Sequence, residues 1–365
     1  MIQLGRTKIA IRPPRSGDYG YGNTRIRAMH SRLLSRQFIE DLVGISDIRG
    51  LVQGLSGTEY GPDMNEIAIH GLDATNVDIA LTNNMVRTYG RVIDFLNPEA
   101  RYLVATLLGR WDVFNIKTIL RAKHLGLDAK DILQGVLPVG SLGPIDIGAL
   151  AGLKDLKAAI DTLVTWELPF AAPLREGFAE FTEKGELAAM ELALDKYYAS
   201  WAVQRLYKRR ANIRTARKVL AIQMDVSNLV MVFRLQYANV DAPVAESFFL
   251  PGGLVISRKL YNELSGMSDV DEVLSRLKKT PYGSALNDVA MLYLEHNSIS
   301  VFERALEDKL ARHAVSLARG DLLGIGVTIS YLWAKQNEIT NIRIIAKGKT
   351  VGMPIERVRK ELILV

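Results

Sequence analysis

The feature that most constrains this chain is that it repeats itself. Ser35–Gly61 (SRQFIEDLVGISDIRGLVQGLSGTEYG) lies over Ser257–Gly283 (SRKLYNELSGMSDVDEVLSRLKKTPYG) without a gap, with ten of the 27 positions identical. The identities include Ser35/Ser257, Arg36/Arg258, Gly44/Gly266, Asp47/Asp269 and Tyr60/Tyr282. A fainter middle copy keeps the same spacing through Leu150, Gly152, Asp155, Leu156 and Leu163, which match Leu42, Gly44, Asp47, Ile48 and Leu55. A second block occurs three times, as Asp112-x-x-Asn115-Ile116-Lys117, Asp225-x-x-Asn228-Leu229-Val230 and Glu338-x-x-Asn341-Ile342-Arg343. Its asparagines, Asn115, Asn228 and Asn341, are evenly spaced along the chain. Leu137-Pro138-x-Gly140 and Leu250-Pro251-x-Gly253 each place proline at the same step after their asparagine. So long and regular a period reads as a tandem array: an N-terminal extension, 1–30, followed by units over 31–130, 131–243 and 244–365.

Within the units the signals are helical. Apolar residues follow each asparagine at helical spacing, as Ile116/Ile119/Leu120, Leu229/Val232/Phe233 and Ile342/Ile345/Ala346, which puts them on one face. The carboxylate three residues earlier either caps a helix start or sits within a longer helix as half of a buried polar pair. In the other block, Leu-x-Gly predicts a helix end with glycine in the left-handed conformation, and Asp47, Asp155 or Asp269 predicts the next helix start. Proline and glycine cluster at the junctions between these blocks, and few stretches alternate like strands. The fold class expected is all-α.

Composition narrows the function classes. Cysteine is absent, which removes disulfides, thiolate chemistry and Cys-based metal sites. The five histidines (His30, His70, His124, His296 and His313) show no helical pairing suited to a metal. Lys347-Gly348-Lys349-Thr350 resembles the end of a phosphate-binding loop, but Arg343 stands where that loop needs its first glycine. No dinucleotide fingerprint, nucleophile elbow or catalytic constellation is present, so no catalytic, cofactor or metal site is expected. Residues 1–22 lack the apolar core of a signal peptide, and the longest mostly apolar run, 322–334, is shorter than the ~20 residues that span a bilayer. Membrane association is therefore expected to be peripheral.

Two basic features stand out against a net charge of +6. Arg205, Lys208, Arg209, Arg210, Arg214, Arg217 and Lys218 line a helix-like stretch, with Leu206, Ile213, Ala216 and Leu220 as an apolar stripe beneath. That face is either solvated or docks an acidic partner; Tyr207 is its single aromatic, too few for the run of stacking residues that nucleic-acid binding would use. The second feature is one cation per unit, at the sixth position after each asparagine: Arg121, Arg234 and Lys347. These either form an ion pair inside each unit or make a threefold ring of positive charge.

Tyr19-x-Tyr21-x-Asn23-x-Arg25-x-Arg27, the Asp112-x-x-Asn115 block, Leu250-Pro251-Gly252-Gly253 and the C-terminal Glu338-x-x-Asn341 block together resemble the C subunit of archaeal and vacuolar-type rotary ATP synthases, known as the d subunit in the eukaryotic enzyme. The resemblance runs nearly end to end. It implies three similar helical domains in a pseudo-threefold funnel, with no active site. It also implies a place on the cytoplasmic face of the membrane, between a rotor ring of proteolipid subunits and the central stalk, coupling proton or sodium movement to ATP synthesis or hydrolysis. The competing expectation is a free-standing helical scaffold that binds nucleic acid or an anionic membrane.

Overall fold

The structure, a computed structural model, describes residues 13–67 and 71–365. The first twelve residues of the N-terminal extension and His70 lie outside the described residues. Among those described there are twenty α-helices and no strand, as the periodicity predicts.

The chain divides into two compact units. One comprises the chain up to Asp155 together with Val315–Val365, and the other is Leu156–Ala314. The first eight helices belong to the first unit: α1 (Gly20–His30), α2 (Arg36–Gly44), α3 (Ile48–Ser56), α4 (Gly61–Ile67), α5 (Ala74–Phe95), α6 (Pro98–His124), α7 (Ala129–Gln134) and α8 (Pro144–Ala151). The second unit holds α9 (Leu156–Thr165), α10 (Ala171–Lys184), α11 (Ala188–Arg205), α12 (Ala211–Tyr237), α13 (Ala242–Glu246), α14 (Arg258–Ser265), α15 (Val270–Leu277), α16 (Gly283–Asn287) and α17 (Ala290–His296). Helix α18 (Ser300–Gly320) leads out of it, and α19 (Gly326–Thr350) and α20 (Ile355–Glu361) complete the first. In the second unit the core gathers around α12 and α14, where Phe233 stacks on Phe302 at 4.5 Å between ring centroids. Helix α12 is long and apolar enough to cross a membrane, yet most of its apolar side chains are buried within the protein.

The repeated sequence makes repeated local structure. Ser35 and Ser257 cap α2 and α14 by accepting from Phe38 N and Leu260 N at 3.1 and 3.2 Å. Asp47 and Asp269 cap α3 and α15, each accepting at 2.8 Å from the amide three residues on. Asp155 directly precedes α9. The two blocks are thus a recurring pair of short capped helices, of which the aspartate starts follow from the sequence and the serine caps are added by the structure.

The expected left-handed glycines are not there. Gly152 and Gly266 have φ of −74° and −92°, and Gly44 is not among the positive-φ residues. Helix α2 instead leaves directly into an extended Ile45, at φ −65° and ψ 143°. Carbonyls beside the end of each of these helices are taken by a side chain from elsewhere. Lys349 Nζ donates to Val43 O at 3.1 Å and to Ile45 O, while Lys123 Nζ donates to Ala151 O at 2.6 Å and to Leu153 O. Both lysines occupy the eighth position after their asparagine, and Gln236, at that step of the middle copy, reaches Leu264 O at 3.4 Å. Lys349, the residue that would touch phosphate in a nucleotide loop, is therefore a cap for the C-terminus of α2. Lys349→Ala is expected to lower stability by about 1 kcal/mol, read by denaturant melting, with no effect on nucleotide affinity by calorimetry.

Candidate functional site

The three copies of the second sequence block converge on one polar motif. Asp112, Asp225 and Glu338 lie well inside the long helices α6, α12 and α19, and are buried together with Asn115, Asn228 and Asn341. Of the two readings open in the sequence, the helix-interior buried pair is correct. Each asparagine amide forms a two-bond clamp on the backbone of the residue 22 positions later. Asn115 Nδ2 donates to Leu137 O at 2.8 Å and Oδ1 accepts from Leu137 N at 2.7 Å. Asn228 holds Leu250 with both bonds at 2.9 Å. Asn341 holds Ile363 at 2.9 and 3.0 Å. An amide side chain presents one donor and one acceptor in the geometry of a neighbouring strand, so it satisfies a buried peptide that lies outside the helices; Leu137 O also accepts from Val139 N at 2.9 Å.

The carboxylates organise the next turn of chain. Asp112 accepts from Ser141 N at 2.9 Å, Ser141 Oγ at 2.8 Å and Leu142 N at 2.9 Å. Asp225 accepts from Val255 N at 2.9 Å, Ile256 N at 2.8 Å and the Tyr282 hydroxyl at 2.8 Å. Burial pushes both carboxyl groups above their usual range, and the hydrogen bonds pull them back. Gly140 and Gly253 occupy the same step after their aspartates, and a Cβ at either would run into that carboxylate. The Leu-Pro-x-Gly signature therefore ends in glycine because a side chain there would displace the acid.

In the third copy the same job is done by residues from the other end of the chain. Glu338 accepts from Leu34 N and from the Tyr60 hydroxyl at 2.6 Å. Leu34 and Tyr60 are the counterparts of Ile256 and Tyr282 when Ser35–Gly61 is laid over Ser257–Gly283. Only this copy carries a buried cation: Lys335, at the step occupied by Gly109 and Ile222 elsewhere, pairs with Glu338 at 2.9 Å. Both side chains are nearly inaccessible, at 4% and 7%. Lys335 Nζ also lies 3.8 Å from the Tyr60 ring centroid. Burial holds the Lys335 ammonium below its usual range against the pull of Glu338, and drives the Tyr60 hydroxyl upward. Two ion pairs nearer the surface, Arg343 with Asp78 and Arg359 with Glu40 at 3.2 Å, continue this seam between the C-terminal helices and the N-terminal ones.

The exposed candidates fall differently. Arg121, Arg234 and Lys347 are all exposed, and Arg234 pairs with Glu303 at 2.6 Å within its own unit. The basic stretch 205–218 is not one helix. α11 ends at Arg205 and α12 begins at Ala211, with Leu206–Arg210 turning between them. Arg205 is buried, with its guanidinium 4.7 Å from the Trp201 ring centroid, so it is no part of an outer face. Arg209, Arg214 and Lys218 are exposed, and Lys208, Arg210 and Arg217 are half-buried; Leu206, Ile213, Ala216 and Leu220 are buried beneath them. The first unit also contains an apolar cleft of about 900 Å³ between α5 and α7–α8, lined by Ile79, Val86, Leu133, Val136 and Ile147 among others. Nothing in the sequence marks it, because its walls come from helices that are not neighbours along the chain.

The polar motif is built to hold, not to react. Donors surround both oxygens of each buried carboxylate, leaving none directed at a substrate. Comparison with known proteins agrees with the repeat signatures. The pattern that defines the ATP synthase (C/AC39) subunit family matches residues 22–361. The C subunit of the A-type ATP synthase of Methanosarcina barkeri is 29% identical over 352 residues, covering 96% of this chain and 94% of the relative. The C subunit of the V-type ATP synthase of Deinococcus radiodurans is 27% identical over 94% of this chain and 91% of its own length. Its A-type counterpart in Methanothermobacter thermautotrophicus is 28% identical over 94% of this chain and 87% of its own.

Proposed function

The chain belongs to the ATP synthase (C/AC39) subunit family, and from that premise we propose that it couples a membrane rotor ring to the central stalk. It is a non-catalytic subunit of an A/V-type ATP synthase, and so part of a membrane-associated complex. In the reading proposed here, three units over 31–130, 131–243 and 244–365 form a pseudo-threefold funnel on the cytoplasmic face. The funnel sits on the proteolipid ring and receives the stalk tip, so that ring rotation driven by protons or sodium turns the stalk.

The observation that carries this reading is the clamp that recurs three times at a fixed spacing inside long helices. A part that transmits torque needs stiffness. Fully satisfied buried polar networks fix one arrangement and resist sliding, because any slip leaves peptide groups unpaired. The recurring exposed cations, Arg121, Arg234 and Lys347, suit the rim of such a part.

Neutralising these cations tests the reading. Each single change to glutamine is expected to weaken assembly by no more than about fivefold, since exposed pairs are worth under ~1 kcal/mol. The triple variant is expected to lose ion pumping in membranes while the catalytic head keeps its ATPase activity, and to mimic high salt. A triple variant that unfolds assigns the cations to internal pairing, as Arg234 and Glu303 already illustrate; one that pumps normally removes them from the coupling surface.

A further inference from the structure

Leu323 is the most exposed large apolar residue among those described, at 79%, and its neighbour Leu322 is 59% exposed. They form the tip of the turn between α18 and α19. A two-leucine tip on an ordinary loop would fold back onto the protein to shed this surface. Here the backbone is pinned on every side. Asp321 N donates to Leu317 O at 3.0 Å, and Asp321 Oδ2 accepts from Gly326 N at 2.9 Å. Arg27 Nη2 donates to Leu322 O at 2.7 Å, and the buried Asn23 donates through Nδ2 to Gly324 O at 3.1 Å. Ile325, the next apolar residue, is fully buried. Four hydrogen bonds therefore hold the two leucines out in water.

The surroundings are cationic. Arg27 and Arg319 are exposed, and α1, which supplies Arg27, has no acidic residue. The one carboxylate of the turn, Asp321, is occupied by the Gly326 amide. Farther along α1, Arg25 bonds the Tyr21 hydroxyl at 2.6 Å, and Tyr21 is itself 62% exposed. We propose that Leu322 and Leu323 form a wedge that enters the headgroup layer of a bilayer containing anionic phospholipid, with Arg27 and Arg319 meeting the phosphates. Aliphatic side chains immersed just below the phosphates, with arginine and tyrosine at the level of the headgroups, are the arrangement that an interfacial anchor requires. A protein partner fits less well. Stable protein interfaces bury roughly 800 Å² on each side across a broad face, and this is a convex tip of two residues.

The inference rests on the reading that the protein works at a membrane surface, but its test is independent of coupling. Because the chain has no cysteine, Leu323→Cys gives a single labelling site for the environment-sensitive fluorophore NBD. With phosphatidylcholine vesicles containing phosphatidylglycerol, the label is expected to shift to the blue and to be quenched by nitroxide-bearing lipid. The response should weaken as salt rises, and a control label at Leu125→Cys, also highly exposed, should not respond. The double variant Leu322→Ser/Leu323→Ser, with its helicity confirmed by circular dichroism, should bind these vesicles at least ~10-fold less tightly. A label at position 323 that lipid nitroxide never quenches overturns the proposal. So does a blue shift that occurs only with detergent-solubilised ring subunits free of phospholipid, which would make the tip a protein contact. If the label reaches lipid but the protein retrieves no ring or stalk subunits, the wedge stands and the coupling role falls. The reverse pair of results removes the wedge alone.

Discussion

Glu338→Gln is expected to loosen the joint between α19 and the N-terminal helices by about 3–5 kcal/mol. The substitution barely changes shape, but it leaves the Lys335 ammonium buried at 4% exposure without its counter-charge. The second copy sharpens the test, because it shows what the site looks like without a cation. There Ile222 and Asp225 stand at the steps of Lys335 and Glu338, and Asp225 still accepts from Ile256 N and the Tyr282 hydroxyl. The double variant Lys335→Ile/Glu338→Asp should therefore lose less than Glu338→Gln alone. It removes the unpaired charge and keeps an acceptor for Leu34 N and Tyr60. With two compact units in one chain, a single global unfolding free energy is a poor gauge. Hydrogen exchange of the amides of α19 and α2 reads the joint directly. Unchanged protection in Glu338→Gln would mean that Lys335 already has adequate solvation.

The second large effect is expected at the clamps. Asn115→Leu leaves the N–H of Leu137 buried and unpaired, at an expected cost of about 1–3 kcal/mol, while the C=O of Leu137 keeps its bond from Val139 N at 2.9 Å. Asn115→Asp keeps the acceptor for Leu137 N and loses only the donor. Its penalty should be smaller at pH values where the new carboxylate is protonated and can donate again. The same pair of substitutions at Asn228 and Asn341 should give matching local losses of protection at Leu250 and Ile363, because all three clamps have the same two bonds. A loss confined to one site would make the other two asparagines incidental.

What the sequence could and could not disclose follows from how far each interaction reaches. Even spacing marks Asn115, Asn228 and Asn341, and the apolar pattern after them places them on helices. That they clamp the peptides of Leu137, Leu250 and Ile363 follows only from the folded chain. The aspartate caps are readable because a cap and its amide lie three residues apart. The glycine ends of α2, α8 and α14 mislead, because the chain leaves each helix without a positive φ, and Lys349, Lys123 and Gln236 bond carbonyls beside those ends from 28 to 306 residues away. The eighth position after each asparagine is lysine in only two copies, so it carries no repeat signature, whereas the sixth is uniformly cationic and yet exposed. The break at Leu206–Arg210 contains neither proline nor glycine, so no local signal ends α11; it turns where Arg205 packs on Trp201 and Leu206 enters the core.

If this chain joins a membrane ring to a rotary catalytic head, both should come away with it. The most direct measurement is affinity purification of the tagged protein from its native membranes in mild detergent, followed by identification of what is retained. The account predicts that proteolipid ring subunits and central-stalk subunits are recovered together, with the ATPase head attached and in stoichiometric amount. Recovery of nucleic acid, or of the chain alone from membranes whose ring and head co-purify without it, would contradict the account.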